Sequence, residues 1–578
     1  MAAGETRTRG TTVERYRTML AGFLAGSVAL AILLGVMLVS GQPGFLEAVS
    51  DGFTRYIPLD LFEKGIQAFG PLAKGFLFAG VCVGVAVAGA LVALRASRVR
   101  LRAGPVADAL AVALAALVIA EIVVLPIFQA GFFGSSLLGD RVAFHLPLIL
   151  AAVAYGLVLI GLREAWTPGV VAAGQGVTQT AGTSGGGLSL PRRTFLGRAL
   201  LAVGWLSLGG TAIAVLAEFG RLARPLNGGG PGGAAGTPGS SGVPASSSAP
   251  GSSSAPGSSA APGSSAGPGG AADRFGPTPA LTPVEGFYVV QKNFFSPNVD
   301  GASWRLRVDG LVDNPIDWTL DSLRALPAQT DYRTLECISN DVPSGGSLIG
   351  NQRWTGVRLT DLLDKVAVQP AATFILWQAA DGYTESLPLE IARGTDVWIA
   401  YEMDGAPLTV DHGFPARVLI PGRFGMKQPK WLTRIQLADH DEQGYWEQRG
   451  WDEQAFVRNM SRIDSPSYGS SVQAGTPLAV TGVAYSGNRG IARVELSPDD
   501  GATWRDAALD DATKAPLGSL TWVRWRADVT LPATAAGSTV RLVVRATSAD
   551  GQLQDGDVTA PLPSGSTGWH AVRVAVVA

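Results

Sequence analysis

No charged residue lies between Arg17 and Glu47. An uncharged, largely apolar run of that length is enough to cross a bilayer, because a hydrocarbon core about 30 Å thick takes roughly 20 apolar residues as a helix. A chain that starts this way cannot fold as one soluble globule. Charge-free runs recur at 75–94, 142–162 and 199–217, and a run at 106–130 is broken only by Asp108 and Glu121. Five spans are therefore expected, at about 18–40, 75–94, 106–130, 142–162 and 197–217. Arginines sort their ends. Arg7, Arg9, Arg15 and Arg17 precede the first span, Arg95, Arg98, Arg100 and Arg102 follow the second, and Arg163, Arg192 and Arg193 separate the fourth from the fifth. The positive-inside rule makes those segments cytoplasmic. Residues 1–17 then form a cytoplasmic tail and 18–221 a transmembrane bundle in contact with lipid. An odd number of crossings leaves the rest outside the cytoplasm, in the plasma (inner) membrane of a prokaryote.

Glu121 and His145 fall at similar depths in adjacent spans and can pair. Intramembrane ionisable groups are costly and often functional, so a proton or quinone site is one reading; a polar contact inside the bundle is the plainer one. His145 is the only histidine before residue 412, so no haem held by two histidines is expected in these helices. Cys82, among Val, Gly and Ala, reads as a packing residue. The only other cysteine is Cys337, which excludes a disulfide framework and a four-cysteine zinc site. The arginine pair in Ser189-Leu-Pro-Arg-Arg-Thr-Phe-Leu196 reads either as a twin-arginine export signal or as an ordinary positive-inside anchor.

From 227 to 272 the chain is almost wholly Gly, Ser, Pro and Ala without a charge, with Ala-Pro-Gly recurring at 249, 255 and 261. Such a composition cannot bury a core, and 222–273 is read as a disordered tether. Beyond 274 tryptophan, charge and regular patterning return. Trp304-Arg-Leu-Arg-Val-Asp-Gly310 alternates as a strand does, and Leu359-Thr-Asp-Leu-Leu-Asp-Lys-Val366 has an amphipathic helical pattern. Their irregular mixture predicts an α+β domain over 274–455. From 456 to 578 only short strand patterns remain, at 478–483, 491–496, 522–529 and 538–546, as in a β-sandwich. With 45 Lys and Arg against 47 Asp and Glu, a formal net charge of −2, nothing global points to nucleic acid as a partner.

Two features of the soluble part carry chemistry. Cys337, in Thr334-Leu-Glu-Cys-Ile-Ser-Asn340, is a thiol without a disulfide partner: a soft ligand for a transition metal, or a buried inert side chain. The segment from His412 to Lys430 holds His412, Arg417, Arg423, Lys427 and Lys430, loop glycines and no acid. It can cradle a phosphate between backbone N–H groups and cations, or be a solvated basic loop.

These residues carry a resemblance. Leu335-Glu-Cys-Ile-Ser-Asn340, Gly382-Tyr-Thr-Glu-Ser-Leu-Pro388, Ala400-Tyr-Glu-Met-Asp-Gly-Ala-Pro-Leu408, Asp411-His-Gly-Phe-Pro-Ala-Arg417 and Lys430-Trp-Leu432 resemble the molybdenum-pterin domain of the sulfite oxidase family. Val494-Glu-Leu-Ser-Pro-Asp-Asp-Gly-Ala-Thr-Trp504 is similar to that family's immunoglobulin-like dimerisation domain. The resemblance covers about half the chain. It implies a molybdenum-molybdopterin cofactor with Cys337 as metal ligand, and a possible homodimer. His412, Arg417 and Lys430 would hold the pterin and its phosphate, Gly425, Met426 and Lys427 would add main-chain or charged contacts, and Lys292 and Asn293 stand where the family has Arg-Asn. Asp381, Tyr383 and Ser386 are weaker candidates for the pterin edge.

The expectation is a membrane-tethered, extracytoplasmic molybdenum oxidoreductase that moves one oxygen atom and two electrons to or from a small molecule, with electrons passing through an external carrier, either a cytochrome or a membrane redox partner. Asp341 and Val342 replace family arginines after the cysteine, Trp451 stands at the place of a substrate-binding tyrosine, and Lys292 replaces another arginine. Fewer guanidinium groups favour a neutral or weakly charged substrate, such as a sulfoxide or N-oxide, over sulfite. Sulfite oxidation stays open if Arg353, Arg423 or Arg449 supplies the missing charge. The alternative of another class is a non-catalytic surface module in which the cysteine is inert.

Overall fold

The computed structural model describes residues 2–40, 44–54, 56–57, 61, 72–96, 104–128, 130–134, 141–166, 192–222, 273–293, 296–510 and 518–578. The tether expected at 222–273 lies outside the described residues apart from its two ends, as do Ser189, Leu190 and Pro191 and the side chains of Arg192 and Arg193.

Among the described residues five helices are long and apolar enough to cross a bilayer: Val13–Ser40, Gly75–Ala96, Pro105–Ile127, Phe144–Trp166 and Gly197–Leu216. A helix covers each of the five stretches expected as spans, within a few residues of their expected ends. The first is the most enclosed, with Ala21, Leu24, Ala25 and Leu34 packed against Leu159, Leu162 and Ala93. A short helix, Phe45–Thr54, follows it and presents Glu47 and Asp51. The third long helix widens into a π-turn at Ala120–Val124. Glu121 sits in that turn and its Oε1 lies 2.8 Å from His145 Nδ1, so the two groups of similar depth do meet.

The next unit has ten strands: β1 Leu306–Gly310, β2 Ile316–Trp318, β3 Ala328–Glu336, β4 Ile349–Arg358, β5 Phe374–Ala379, β6 Thr384–Pro388, β7 Trp398–Met403, β8 Ala406–Pro407, β9 Arg417–Leu419 and β10 Leu432–Ala438. They form two sheets, ordered β2-β1-β10-β5-β6 and β3-β4-β7-β8, with β9 on β7. Between them Trp377, Ile435 and Val308 of the first sheet meet Val357, Ile399 and Val418 of the second. The helix Leu359–Val366 buries Leu359, Leu362, Leu363 and Val366, the face its 3–4 spacing predicts. The mixture of short helices and sheets agrees with the α+β expectation.

The last unit is built of strands: β11 Met460–Ser465, β12 Ser471–Gln473, β13 Pro477–Tyr485, β14 Ile491–Ser497, β15 Arg505–Asp506, β16 Ala508–Leu509, β17 Val523–Thr530, β18 Thr539–Ser548 and β19 Ala571–Val577. Two sheets, β11-β13-β17-β16 and β12-β19-β18-β14-β15, close over Val480, Trp525, Val494, Leu542 and Val574. The four strands expected here, at 478–483, 491–496, 522–529 and 538–546, are present as β13, β14, β17 and β18.

Candidate active site

The hairpin of β3 and β4 sets the cysteine. Strand β3 ends at Glu336, and the Cys337 N–H still donates to the Leu348 carbonyl at 3.0 Å before Asn340 N–H turns back onto the Cys337 carbonyl at 3.0 Å. The C-terminal unit clamps that turn from the other side. Ser566 Oγ donates to the Asn340 carbonyl at 2.7 Å and accepts from Val342 N–H at 3.0 Å, while Tyr485 Oη donates to the Thr334 carbonyl at 3.0 Å. The thiol is thus held at both ends by hydrogen bonds that cross between the two units. Cys337 Sγ lies 3.0 Å from Ser339 Oγ. Burial and the neighbouring Glu336 push the thiol pKa up, against Ser339 and Lys430, which pull it down. Glu336 itself is raised to about 8 by burial, and its Oε2 has no hydrogen-bond partner among the described residues.

Around this thiol the basic segment closes. Arg417 is 6% exposed, and its Nη1 donates to the His412 carbonyl at 3.2 Å. Its guanidinium lies 5.3 Å from the Trp354 ring centroid. Burial lowers its pKa to about 10. Its Nε finds no partner among the described residues, and no carboxylate there is close enough to form an ion pair with it. A buried cation without an acid is costly, so this geometry suits an anion. His412 is pushed to about 4 by burial and by the cations Arg417 and Lys430; it is neutral near pH 7 and can offer a hydrogen bond but no charge. Lys430 Nζ donates to the Asp411 carbonyl at 2.8 Å. Arg417 and Lys430 therefore supply the positive potential.

Lys427 corrects part of the expectation. Its ammonium does not face an anion site: it is buried between Glu385, at 3.3 Å, and Glu447, so only its main chain is available to a ligand. Burial and the charge of Glu447 raise the Glu385 pKa well above the carboxylate range, against the pull of Lys427. A Cβ on Gly444 would lie 1.7 Å from Glu385 Oε1, so the carboxyl needs glycine there. This triad was not anticipated from sequence; its two acids lie in separate motifs with no spacing that links them.

Asn293 Nδ2 donates to Asp381 Oδ2 at 3.1 Å, and Asp381 Oδ1 accepts the Tyr383 N–H at 3.0 Å. Tyr383 Oη donates to the Met426 carbonyl at 2.6 Å, next to Gly425. Burial raises the Tyr383 pKa, and the neighbouring acids Glu385, Asp381 and Glu447 add to it. Ser386 Oγ is instead occupied with Asp441 at 2.5 Å. Lys292 Nζ stands 5.2 Å from the Tyr445 ring centroid, and the Tyr445 and Tyr383 rings are 5.8 Å apart. Tyr445 thus joins the candidate residues, although no sequence motif singled it out.

Of the three arginines considered for an oxyanion, only Arg449 joins this group, its guanidinium 3.5 Å from the Tyr445 ring centroid. Arg353 reaches Asp404 at 3.7 Å, and Arg423 stacks 3.7 Å from the Phe456 ring centroid while donating to the Gln454 carbonyl. Trp451 packs against the cluster of Ile338, Phe424 and Met426 beside the cysteine turn. Asp341 is exposed and Val342 buried.

Residues 293–446 match the model of the oxidoreductase molybdopterin binding domain, and 454–577 that of the Mo-co oxidoreductase dimerisation domain. The chain is similar to the mitochondrial sulfite oxidase of Drosophila melanogaster, 32% identical over 43% of this chain and 50% of that protein. The mitochondrial sulfite oxidase of Homo sapiens is 30% identical over 48% and 59% of the two chains, and the NADH nitrate reductase of Ulva prolifera 30% identical over 43% and 35%. The chain spans about half the length of the sulfite oxidases it matches. Among solved structures, the sulfane dehydrogenase SoxCD from Paracoccus pantotrophus aligns at a TM-score of 0.45 and 23% identity over 52% of this chain and 83% of that chain. The buried thiol and the basic segment both lie inside the first matched region, so residues 293–577 pair a molybdopterin-binding oxidoreductase domain with a Mo-co dimerisation domain and are similar to the sulfite oxidases.

Proposed function

We propose that this chain is a membrane-tethered, extracytoplasmic oxidoreductase that transfers one oxygen atom and two electrons between a small substrate and a bound molybdenum pterin. The observation that carries the reading is Arg417, a buried cation with no acid beside it among the described residues, packed with Lys430 around a single buried thiol. A single buried thiol beside these cations suits a metal that takes one thiolate from the chain and its other ligands from a cofactor. Cys337 would be that ligand. Arg417, Lys430 and the neutral His412 would hold the pterin and its phosphate, Asn293 and Asp381 would orient Tyr383 at its edge, and Tyr383, Tyr445, Lys292 and Arg449 would face the substrate. The bound cofactor supplies the oxygen-atom and two-electron chemistry.

For the substrate we favour a sulfoxide or N-oxide. Reduction of a sulfoxide consumes two electrons and two protons, breaks the sulfur–oxygen bond, and yields the sulfide and one water, with the electrons coming from an external carrier. Arg353 and Arg423 are engaged elsewhere, which leaves Arg449 as the one guanidinium beside Tyr445 and Tyr383 among the described residues. The second reading, sulfite oxidation, draws on the names of the relatives. The C-terminal unit, read as an immunoglobulin-like sandwich, is suited to pairing two copies. The five apolar helices and their flanking arginines support the tether. So does a contact between Asp51, just after the first helix, and Arg449, since an odd number of crossings puts both on the same side.

Metal analysis and steady-state turnover on the purified full chain test the reading. About one molybdenum per chain, with methionine sulfoxide reduced more efficiently than sulfite is oxidised, is the expected result. Efficient sulfite oxidation would replace the substrate assignment, and a chain without molybdenum after cofactor-competent expression would leave a non-catalytic binding module.

A further inference from the structure

The short helix Phe45–Thr54 belongs to the apolar bundle, yet its Asp51 reaches the candidate active site. Tyr445 Oη donates to Asp51 Oδ1, and Arg449 Nη2 lies 3.3 Å from the same oxygen. Both partners are groups placed above on the substrate side. Arg449 is held by its own Nη1, which donates to the Tyr445 carbonyl at 2.6 Å, and by the Tyr445 ring beneath it. Its side chain is 9% exposed and that of Asp51 27%, so the pair is part-shielded from water, where a charge-assisted contact counts for more than at an open surface.

The helix is seated on the bundle as well. A Cβ on Gly52 would lie 2.1 Å from the Phe128 carbonyl oxygen, so the helix rests on the end of the third long helix at contact distance. Phe53 and Tyr56 flank it, each with ring centroid 6.3 Å from that of Phe128. One side of the helix is thus fixed to the bundle while the neighbouring residue turns its carboxylate to Tyr445 and Arg449. A carboxylate is itself a small planar oxyanion. Here it takes the guanidinium and the phenol that an incoming oxyanion would need.

We infer that Asp51 is a specificity-determining residue supplied by the membrane part: it occupies the Arg449–Tyr445 anion position, so that the docked bundle disfavours anionic substrates and leaves the pocket to neutral ones. The inference rests on the reading of this pocket as the substrate site. A dianion entering beside Asp51 must displace the carboxylate or meet its charge, and lost charge-assisted bonds of this kind correspond to about 10- to 100-fold in affinity.

The test uses the full-length, cofactor-loaded protein and sulfate, a non-reacting dianion, with binding measured calorimetrically for wild type, Asp51→Asn, Arg449→Gln and the double variant. Asn keeps the size of Asp51 and removes its charge. Sulfate should bind Asp51→Asn about 10- to 100-fold more tightly than wild type, and the gain should vanish in the double variant. Equal affinity of wild type and Asp51→Asn, or a gain that survives without Arg449, overturns the inference. A preference of the wild type for sulfite in turnover would defeat the proposed substrate class instead and leaves this binding comparison to stand or fall by itself.

Discussion

Replacing Arg417 with Met should have opposite effects with and without the cofactor. Met keeps most of the length and apolar volume of the side chain. In the cofactor-free chain the guanidinium is buried with its pKa lowered to about 10, against an ordinary value above 12, and that gap corresponds to about 3 kcal/mol of cost for keeping it charged at pH 7. Against this stand one hydrogen bond to the His412 carbonyl, about 1 kcal/mol, and the contact with Trp354, about 1 kcal/mol. The cofactor-free variant should therefore be more stable by about 1 kcal/mol, and its Tm should rise by roughly 2–4 °C for a unit of this size. In the loaded enzyme the sign reverses, because a buried phosphate loses a charge-assisted partner, which costs about 1.5–3 kcal/mol. Thermal scans of both proteins from cofactor-deficient and cofactor-competent hosts, with molybdenum and pterin assayed in the second, provide the measurement. A cofactor-free variant less stable than wild type, together with unchanged cofactor content, would refute the reasoning.

If Cys337 is the metal ligand proposed above and the basic segment supplies most of the cofactor binding, Cys337→Ser should lower turnover by at least about 100-fold while Tm and pterin content stay near wild type; full activity would remove Cys337 from the metal. Gly444→Ala should drive the buried Glu385 carboxyl off Lys427 and Glu447, at about 1–3 kcal/mol for a buried polar group left without its partner and a Tm fall of roughly 2–12 °C; a shift below about 1 °C would mean the triad adapts. Burial holds His570 at about 4, below its ordinary value near 6.5, while its Nδ1 accepts the Ile463 N–H at 2.9 Å. The unfolded chain binds the proton first, so stability should be full above pH 6.5 and lost as pH falls towards 4, by up to about 3 kcal/mol. Denaturant titrations across that window should show the slope in wild type and a weaker one in His570→Gln; equal slopes would exclude His570 as its source.

Local periodicity explains which parts of the architecture were legible in the chain. A run of apolar residues without charge is a property of neighbours in sequence, so all five long helices could be read off, and so could β13, β14, β17 and β18 as short strand patterns between turns and the helix Leu359–Val366 from its 3–4 spacing. The cysteine and the basic run from His412 to Lys430 were visible as residue types suited to a metal and a phosphate. What no local pattern holds is which distant groups exclude water from one another. Strand β1 pairs in parallel with β10, Arg307 opposite Arg434, and Lys427 turns away from the anion site because Glu385 and Glu447 enclose it. Asp51 meets Arg449 across 398 residues. Periodicity assigns a face to each element, but a buried charge takes its meaning from the partner that tertiary packing brings to it, because only desolvation makes that partner matter.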